Sequence, residues 1–351
     1  VSNLIEKMND WLYAAYECKA SDIHLSVGVA PVFRINGELK RYGQESLAPE
    51  DMESLAKQMI PDFMWERFEE KGELDFSYSV PGISRFRVNA YRQRSSVAIA
   101  IRIIPTRIPS LEELQLPQVL QTLVDKPQGL ILVTGPTGSG KSTTLASMID
   151  FINRKQKKHI ITLEDPIEYL HKHHHCIIDQ REVGFDTKSF ATGLRASLRQ
   201  DPDIILVGEL RDLETIQTAI TAAETGHLVL GTLHTTSAPS TIDRIIDVFP
   251  GPQQAQIRVQ LASVLVSIIS QRLFPTIDRQ SRKVATEILV NTPAVANLIR
   301  NEKIHQIQNV MQTSRAQGMH TLEMSIKQLI QQGEISKLSA ESYIQEALQN
   351  A

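Results

Sequence analysis

The segment "GLILVTGPTGSGKSTTLASMIDFINRK", residues 129–155, constrains the fold more than any other part of the chain. Six apolar or small residues form a strand, a glycine-rich turn follows, and the chain continues with helical periodicity. A strand that leaves through such a loop into a helix belongs to a parallel sheet, because parallel neighbours need a crossover connection. The turn itself matches G-x-x-x-x-G-K-[ST] over Gly135, Pro136, Thr137, Gly138, Ser139, Gly140, Lys141 and Ser142, with Thr143 next in the helix. Its glycines let backbone N–H groups turn inward around phosphates. Lys141 then places its charge on the β and γ positions, and Ser142 reaches Mg2+. ATP is favoured over GTP because the chain has no Asn-Lys-x-Asp segment to read guanine.

The same alternation continues downstream. Strand-like runs at "HIITLED", "DIILVGE" and "HLVLGTLHT" are separated by helical stretches, as expected of a parallel sheet covered on both faces. The run "LASVLVSIIS", residues 261–270, reads as a buried core helix, too short to span a bilayer. Upstream the pattern differs. Asn36-Gly37 separates two extended runs as a hairpin turn, and Ser95-Ser96 is expected to do the same further on. Alternation puts Val97, Ile99, Ile101 and Ile103 opposite Arg102, and Phe86 and Val88 opposite Arg85 and Arg87. Three prolines within residues 105–118 mark a linker. The expected organisation is therefore a small α/β domain over 1–104, a linker over 105–117 and an α/β ATPase domain over 118–351. Residues 292–351, polar and helically patterned, form a helical extension of the latter.

Ligands of parallel sheets bind beyond the carboxyl ends of the strands. Two strands there end in acids, one in Glu164 and Asp165, the other in Gly208-Glu209. A carboxylate at that edge can hold a metal-bound water or take a proton from an attacking one, so Glu209 is assigned to polarising water and Glu164 is a second candidate. The alternative for Glu209 is a cap on the helix that begins near Asp212. His227 and His234 bracket a further strand and are placed at the same edge, with the alternative for His227 that it simply follows the Gly226 helix stop. No arginine in the second domain offers itself as a finger, so Arg87 and Arg102 are expected to reach ATP across a subunit boundary. The run "HKHHHC", residues 171–176, is read as a solvated basic loop, because adjacent histidines rarely converge on one ion.

Composition removes other classes. A formal net charge of -3 gives no global pull toward nucleic acid or anionic membrane. Two cysteines, Cys18 and Cys176, exclude a disulfide framework and suit a reducing cytosol. The first residues lack the basic start and apolar core of a secretory signal, and export by that route is not expected.

The motifs "ASDIHLS", "GPTGSGKSTT", "ITLEDPIEY", "QREVG", "LRQDPDIILVGELRDLET" and "GTLHTTSAPSTIDRIIDVFP" occur in that order along nearly the whole chain. In this it resembles the secretion ATPases of the type II and type IV pilus superfamily, and within them the PilT-type retraction ATPases, since it is short and lacks the four-cysteine metal module. The resemblance implies a PAS-like N-terminal domain, a RecA-like C-terminal domain and a cytoplasmic homohexamer docked at the inner face of the cell membrane. It implies ATP and Mg2+ as cofactors, with an inner-membrane platform protein and other pilus motor ATPases as partners. Nucleic acid is not expected as a stable partner. By motif, Lys141 and Ser142 become Walker A, Glu164 the aspartate-box acid, Glu209 the Walker B glutamate, His227 and His234 the histidine box, and Arg87 and Arg102 the trans-acting arginines. The implied function is ATP-driven pilus retraction. In the stretch that couples such motors to the pilus base, "AVANLIRN", Asn297, Leu298, Ile299 and Arg300 are kept, while Ala296 and Asn301 replace an arginine and a glutamate. That departure keeps open an accessory pilus or type II secretion-like motor. From the residues alone, a nucleic-acid translocase and a non-hydrolysing ATP-binding regulator also remain.

Overall fold

The computed structural model describes residues 2–349 and divides into two units, Val1–Arg107 and Ile108–Ala351. In the first, helix α1 (Ser2–Glu17) precedes strands β1 (Asp22–Leu25), β2 (Val32–Ile35) and β3 (Glu38–Arg41). Helices α2 (Pro49–Met59) and α3 (Asp62–Lys71) follow, then β4 (Glu73–Val80), β5 (Ser84–Gln93) and β6 (Ser96–Ile103). The strands form one antiparallel sheet in the order β3-β2-β1-β6-β5-β4. Asn36 and Gly37 turn β2 into β3 with φ of 52° and 81°, the pair of left-handed residues that matches strand twist. The second hairpin turns one residue earlier than expected. Gln93 pairs with Ser96, so Arg94 and Ser95, at φ 47° and 63°, make the turn, and neither advertises it as glycine would. Phe86, Val88, Val97, Ile99 and Ile101 are buried, whereas Arg87 and Arg102 stand opposite each other on the exposed face.

The second unit contains α4 (Val119–Leu123), β7 (Gly129–Thr134), α5 (Lys141–Lys155), β8 (His159–Glu164), β9 (Ile177–Glu182), α6 (Phe190–Ser197), β10 (Ile204–Val207), α7 (Leu213–Glu224) and β11 (Leu228–Leu233). Then come α8 (Ala238–Asp247), α9 (Gly251–Val264), β12 (Leu265–Pro275), β13 (Arg282–Val290), α10 (Pro293–Arg300), α11 (Ile307–Thr313), α12 (Leu322–Gln331) and α13 (Lys337–Gln349). Seven strands lie in the order β13-β12-β7-β11-β10-β8-β9, parallel except for β13. Every residue of β7, β10 and β11 is buried, which explains their uninterrupted apolar sequence.

The run 261–270 is not one helix. Helix α9 ends at Val264 and the chain passes directly into β12, whose Ile268 and Ile269 are fully buried. Periodicity alone cannot tell a short buried strand from a buried helix, and here β-branched residues and sheet pairing decide. Strand β13 and helix α12 then pack together, and Phe274, Ala285, Ile326 and Ile335 form a small apolar cluster. Among the described residues, no helix is long and apolar enough to cross a membrane.

Candidate active site

The sheet order brings the carboxyl ends of β7, β11, β10 and β8 side by side, so the segments after them meet in one cleft of about 470 Å³. Lys141, Ser142, Thr143, Glu164, Glu209 and His234 all line it. The phosphate loop is held from both sides. Gly135 adopts φ 150°, and a Cβ there would lie 2.5 Å from the carbonyl oxygen of Gln271 and from Ser139 Oγ. Gly140 begins α5 at φ 88°. Gln271 of β12 donates through Nε2 to the Ser139 carbonyl at 2.8 Å and accepts from Thr144 Oγ1 at 2.9 Å, tying the loop to its helix.

Lys141 crosses the mouth of this loop. Its Nζ donates to the Gly135 carbonyl at 2.6 Å and to His234 Nδ1 at 2.9 Å. An ammonium can only donate, so Nδ1 accepts and the ring proton sits on Nε2. His234 Nε2 then donates to Glu209 Oε1 at 2.6 Å, and Arg211 Nε reaches the same oxygen at 2.6 Å. His234 thus links the phosphate-loop lysine to the carboxylate after β10. Burial lowers the Lys141 pKa, against the attraction of Glu209, which raises it. Helix α7 takes its cap from Asp212, whose Oδ2 accepts from Thr215 N at 3.0 Å. Glu209 is therefore not the capping residue.

Glu164 has a different environment. Burial pushes its carboxyl up to about 7, opposed by hydrogen bonds from Thr162 Oγ1 at 2.7 Å and Gln180 Nε2 at 3.0 Å, while Glu168 and Glu182 raise it further. A carboxyl that titrates near neutrality inside a cleft is suited to proton transfer. Tyr169, on the loop after β8, reaches Thr143 Oγ1 through its hydroxyl at 2.9 Å. His171 lines the same cleft, and burial lowers its pKa to about 4, against Asp150.

Several expectations change. His227 and His234 do not share an edge: they flank β11 at its two ends, roughly 23 Å apart at about 3.3 Å per residue. His227 instead places Nδ1 3.0 Å from the Ala222 carbonyl, beside the left-handed Gly226 that ends α7. The second unit is also not devoid of arginines at the site. Arg211 folds back onto Glu209, and β13 carries Arg282 into the cleft wall. Neither was visible before the turn after Glu209 and the strand β13 were known. The run 171–176 is not uniformly solvated either, since Cys176 is buried and His171 faces the cleft.

In the first unit, Arg102 Nε donates to Asp22 Oδ1 at 3.1 Å, and Arg87 lies across the ladder from it on β5. On α10, Ile299 is fully buried with Val295, so it anchors the helix and is not available for contact with a partner. Asn297 and Arg300 are exposed, and Leu298 is half-buried. Ala296 is buried, and Asn301 Nδ2 donates to the Asn297 carbonyl at 2.9 Å, closing the end of the helix. Gln271, Thr162, Tyr169 and Gln180 were missed in the sequence, where they stand as ordinary polar residues of strands or a loop.

Comparison with known proteins extends these observations. The family profile described as "Type II/IV secretion system protein" matches residues 1–350. The chain is 49% identical over 321 residues to the type IV pilus retractation ATPase PilT of Pseudomonas aeruginosa, an alignment that covers 92% of this chain and 93% of that protein. It is 43% identical over 316 residues to the type IV pilus ATPase PilU of the same organism, covering 90% and 83%. The crystal structure of the pilus retraction motor PilT with bound ADP matches with a TM-score of 0.85 at 49% identity, over 93% of this chain and 94% of that one. The Legionella pneumophila ATPase DotB matches with a TM-score of 0.84 at 28% identity, over 97% and 95%.

Proposed function

Because this chain belongs to the type II/IV secretion system protein family and is an ATP-hydrolysing enzyme, we infer that it is the motor that retracts a type IV pilus. The observation that carries this reading is the near full-length similarity to PilT, joined to a cleft in which Lys141, His234 and Glu209 are connected by hydrogen bonds. The working unit is a homohexamer docked on an inner-membrane platform protein at the cytoplasmic face.

The chemistry follows from the site. Lys141 and the backbone of the phosphate loop bind the β- and γ-phosphates. Glu209, oriented by His234 and Arg211, polarises the attacking water, and Glu164 supplies a second carboxylate whose proton affinity lies near neutrality. The donor set fits Mg2+: the Ser142 hydroxyl, exposed in the first turn of α5, would hold it together with phosphate oxygens and water, and the ion would neutralise phosphate charge. Arg87 and Arg102 act on the nucleotide of a neighbouring subunit. Asn297 and Arg300 are the residues of α10 that face a partner.

The test is a count of surface pili in a strain lacking this gene and in one complemented with Lys141→Ala. Excess pili with lost twitching support retraction, and bald cells refute it. A second reading, an accessory motor that works beside another retraction ATPase, is favoured by Ala296 and Asn301 in α10 and by the similarity to PilU. It predicts unchanged piliation when this gene alone is lost.

A further inference from the structure

Strand β9 lies at the edge of the sheet beside β8, and two of its side chains, Gln180 and Glu182, point to the same side because strand periodicity is two. Both grip the loop that follows β8. Glu182 Oε1 accepts from Ile167 N at 3.0 Å. Gln180 makes three contacts: Nε2 donates to Glu164 Oε2 at 3.0 Å and to the Tyr169 carbonyl at 2.8 Å, and Oε1 accepts from His171 N at 2.9 Å. The orientation of the amide is fixed by its partners. Turning it over would face its oxygen toward a carboxylate and a carbonyl and its NH2 group toward an N–H. Both donor hydrogens and the acceptor are thus committed, one to the Glu164 carboxylate and two to the loop backbone. Tyr169, the residue held by its carbonyl, reaches back to Thr143 beside Ser142 at the start of α5.

We propose that Gln180 is a positioning residue for ATP hydrolysis, which sets the rotamer of Glu164 together with Thr162, whose Oγ1 donates to the same oxygen at 2.7 Å, and which alone locks the 165–171 loop to that carboxylate so that the loop and the acid move as one body. Gln180 itself does not line the cleft. The proposal rests on Glu164 acting in hydrolysis. Its consequence is kinetic: loss of the amide leaves Glu164 Oε2 held by Thr162 alone and uncoupled from the loop, and a displacement of about 1 Å costs on the order of a hundredfold in rate. Binding through the phosphate loop stays intact.

The experiment compares the wild-type full-length chain with Gln180→Met, which keeps length without hydrogen bonds, and Gln180→Glu, which keeps an acceptor for His171 but cannot donate to Glu164. Steady-state ATPase and the binding of a fluorescent ATP analogue are measured for each, with Glu164→Gln as reference. The expected result is a fall in kcat of about ten- to a hundredfold in both variants, with KM and analogue affinity within about threefold. Gln180→Asn should not restore the rate, because its shorter chain cannot span Glu164 and the loop. Wild-type kcat in Gln180→Met or Gln180→Glu overturns the proposal, as does a loss of analogue binding equal to the loss of kcat. If Gln180→Met does not fold, Gln180→Glu decides by the same outcomes. Full activity in Glu164→Gln would instead remove the role of Glu164, a failure distinguishable from that of Gln180 alone.

Discussion

Glu209 receives His234 Nε2 and Arg211 Nε on one oxygen, and this convergence separates it from the capping carboxylate three residues on. Glu209→Gln keeps the shape and loses the basicity. It should retain ATP binding while turnover falls by at least about a hundredfold, as measured by steady-state hydrolysis beside analogue titration. Glu164 makes a pH-dependent prediction. With its carboxyl raised to about 7 by burial, the ionised form fills in only as pH rises through neutrality, so the acid limb of kcat/KM should have its midpoint near 7. Glu164→Gln should flatten that limb. The sign for stability is opposite: between 4.5 and about 7 the folded chain holds a proton that the unfolded chain has released, so this group's contribution to stability falls as pH rises across that window. Melting temperatures of wild type and Glu164→Gln across that range check it.

Elements account for what could and could not be read ahead. The β7–loop–α5 unit was fully legible, because a phosphate cradle demands glycine where Gly135 and Gly140 stand. Gly135→Ala should abolish nucleotide binding and lower the melting temperature, since a Cβ meets backbone at 2.5 Å. Asp212→Ala tests the division of labour after β10: the lost cap should cost about 1 kcal/mol in denaturant unfolding and leave kcat near wild type. Strands β9, β12 and β13 were not legible. β9 carries polar residues at the sheet edge, and β12 follows α9 with no turn residue between them. Gln180, Gln271 and Arg282, which hold or line the cleft, ride on those strands, so their place at the cleft could not be read from sequence. For His227 the reading as the residue after the Gly226 helix stop is the one the structure matches, because it precedes β11 and lies at the strand end away from the cleft.

The two units carry different groups: the second has the phosphate loop and the cleft acids Glu164 and Glu209, and the first presents Arg87 and Arg102 on an exposed sheet face. If those arginines serve a neighbouring subunit, ATPase activity per chain should rise with assembly, and Arg87→Ala or Arg102→Ala should lower kcat by up to about a thousandfold without loss of nucleotide affinity. Activity against protein concentration, read beside sedimentation, tests this. The presence of Arg211 and Arg282 at the same cleft makes the comparison informative, because Arg211→Ala should act at any concentration. The central claim, that hydrolysis here drives pilus withdrawal, is tested most directly by imaging labelled pili on living cells that carry either the wild-type chain or Glu209→Gln as the sole copy. The account predicts that pili in the Glu209→Gln cells extend and stay extended. Withdrawal at the wild-type frequency and speed in those cells would contradict it.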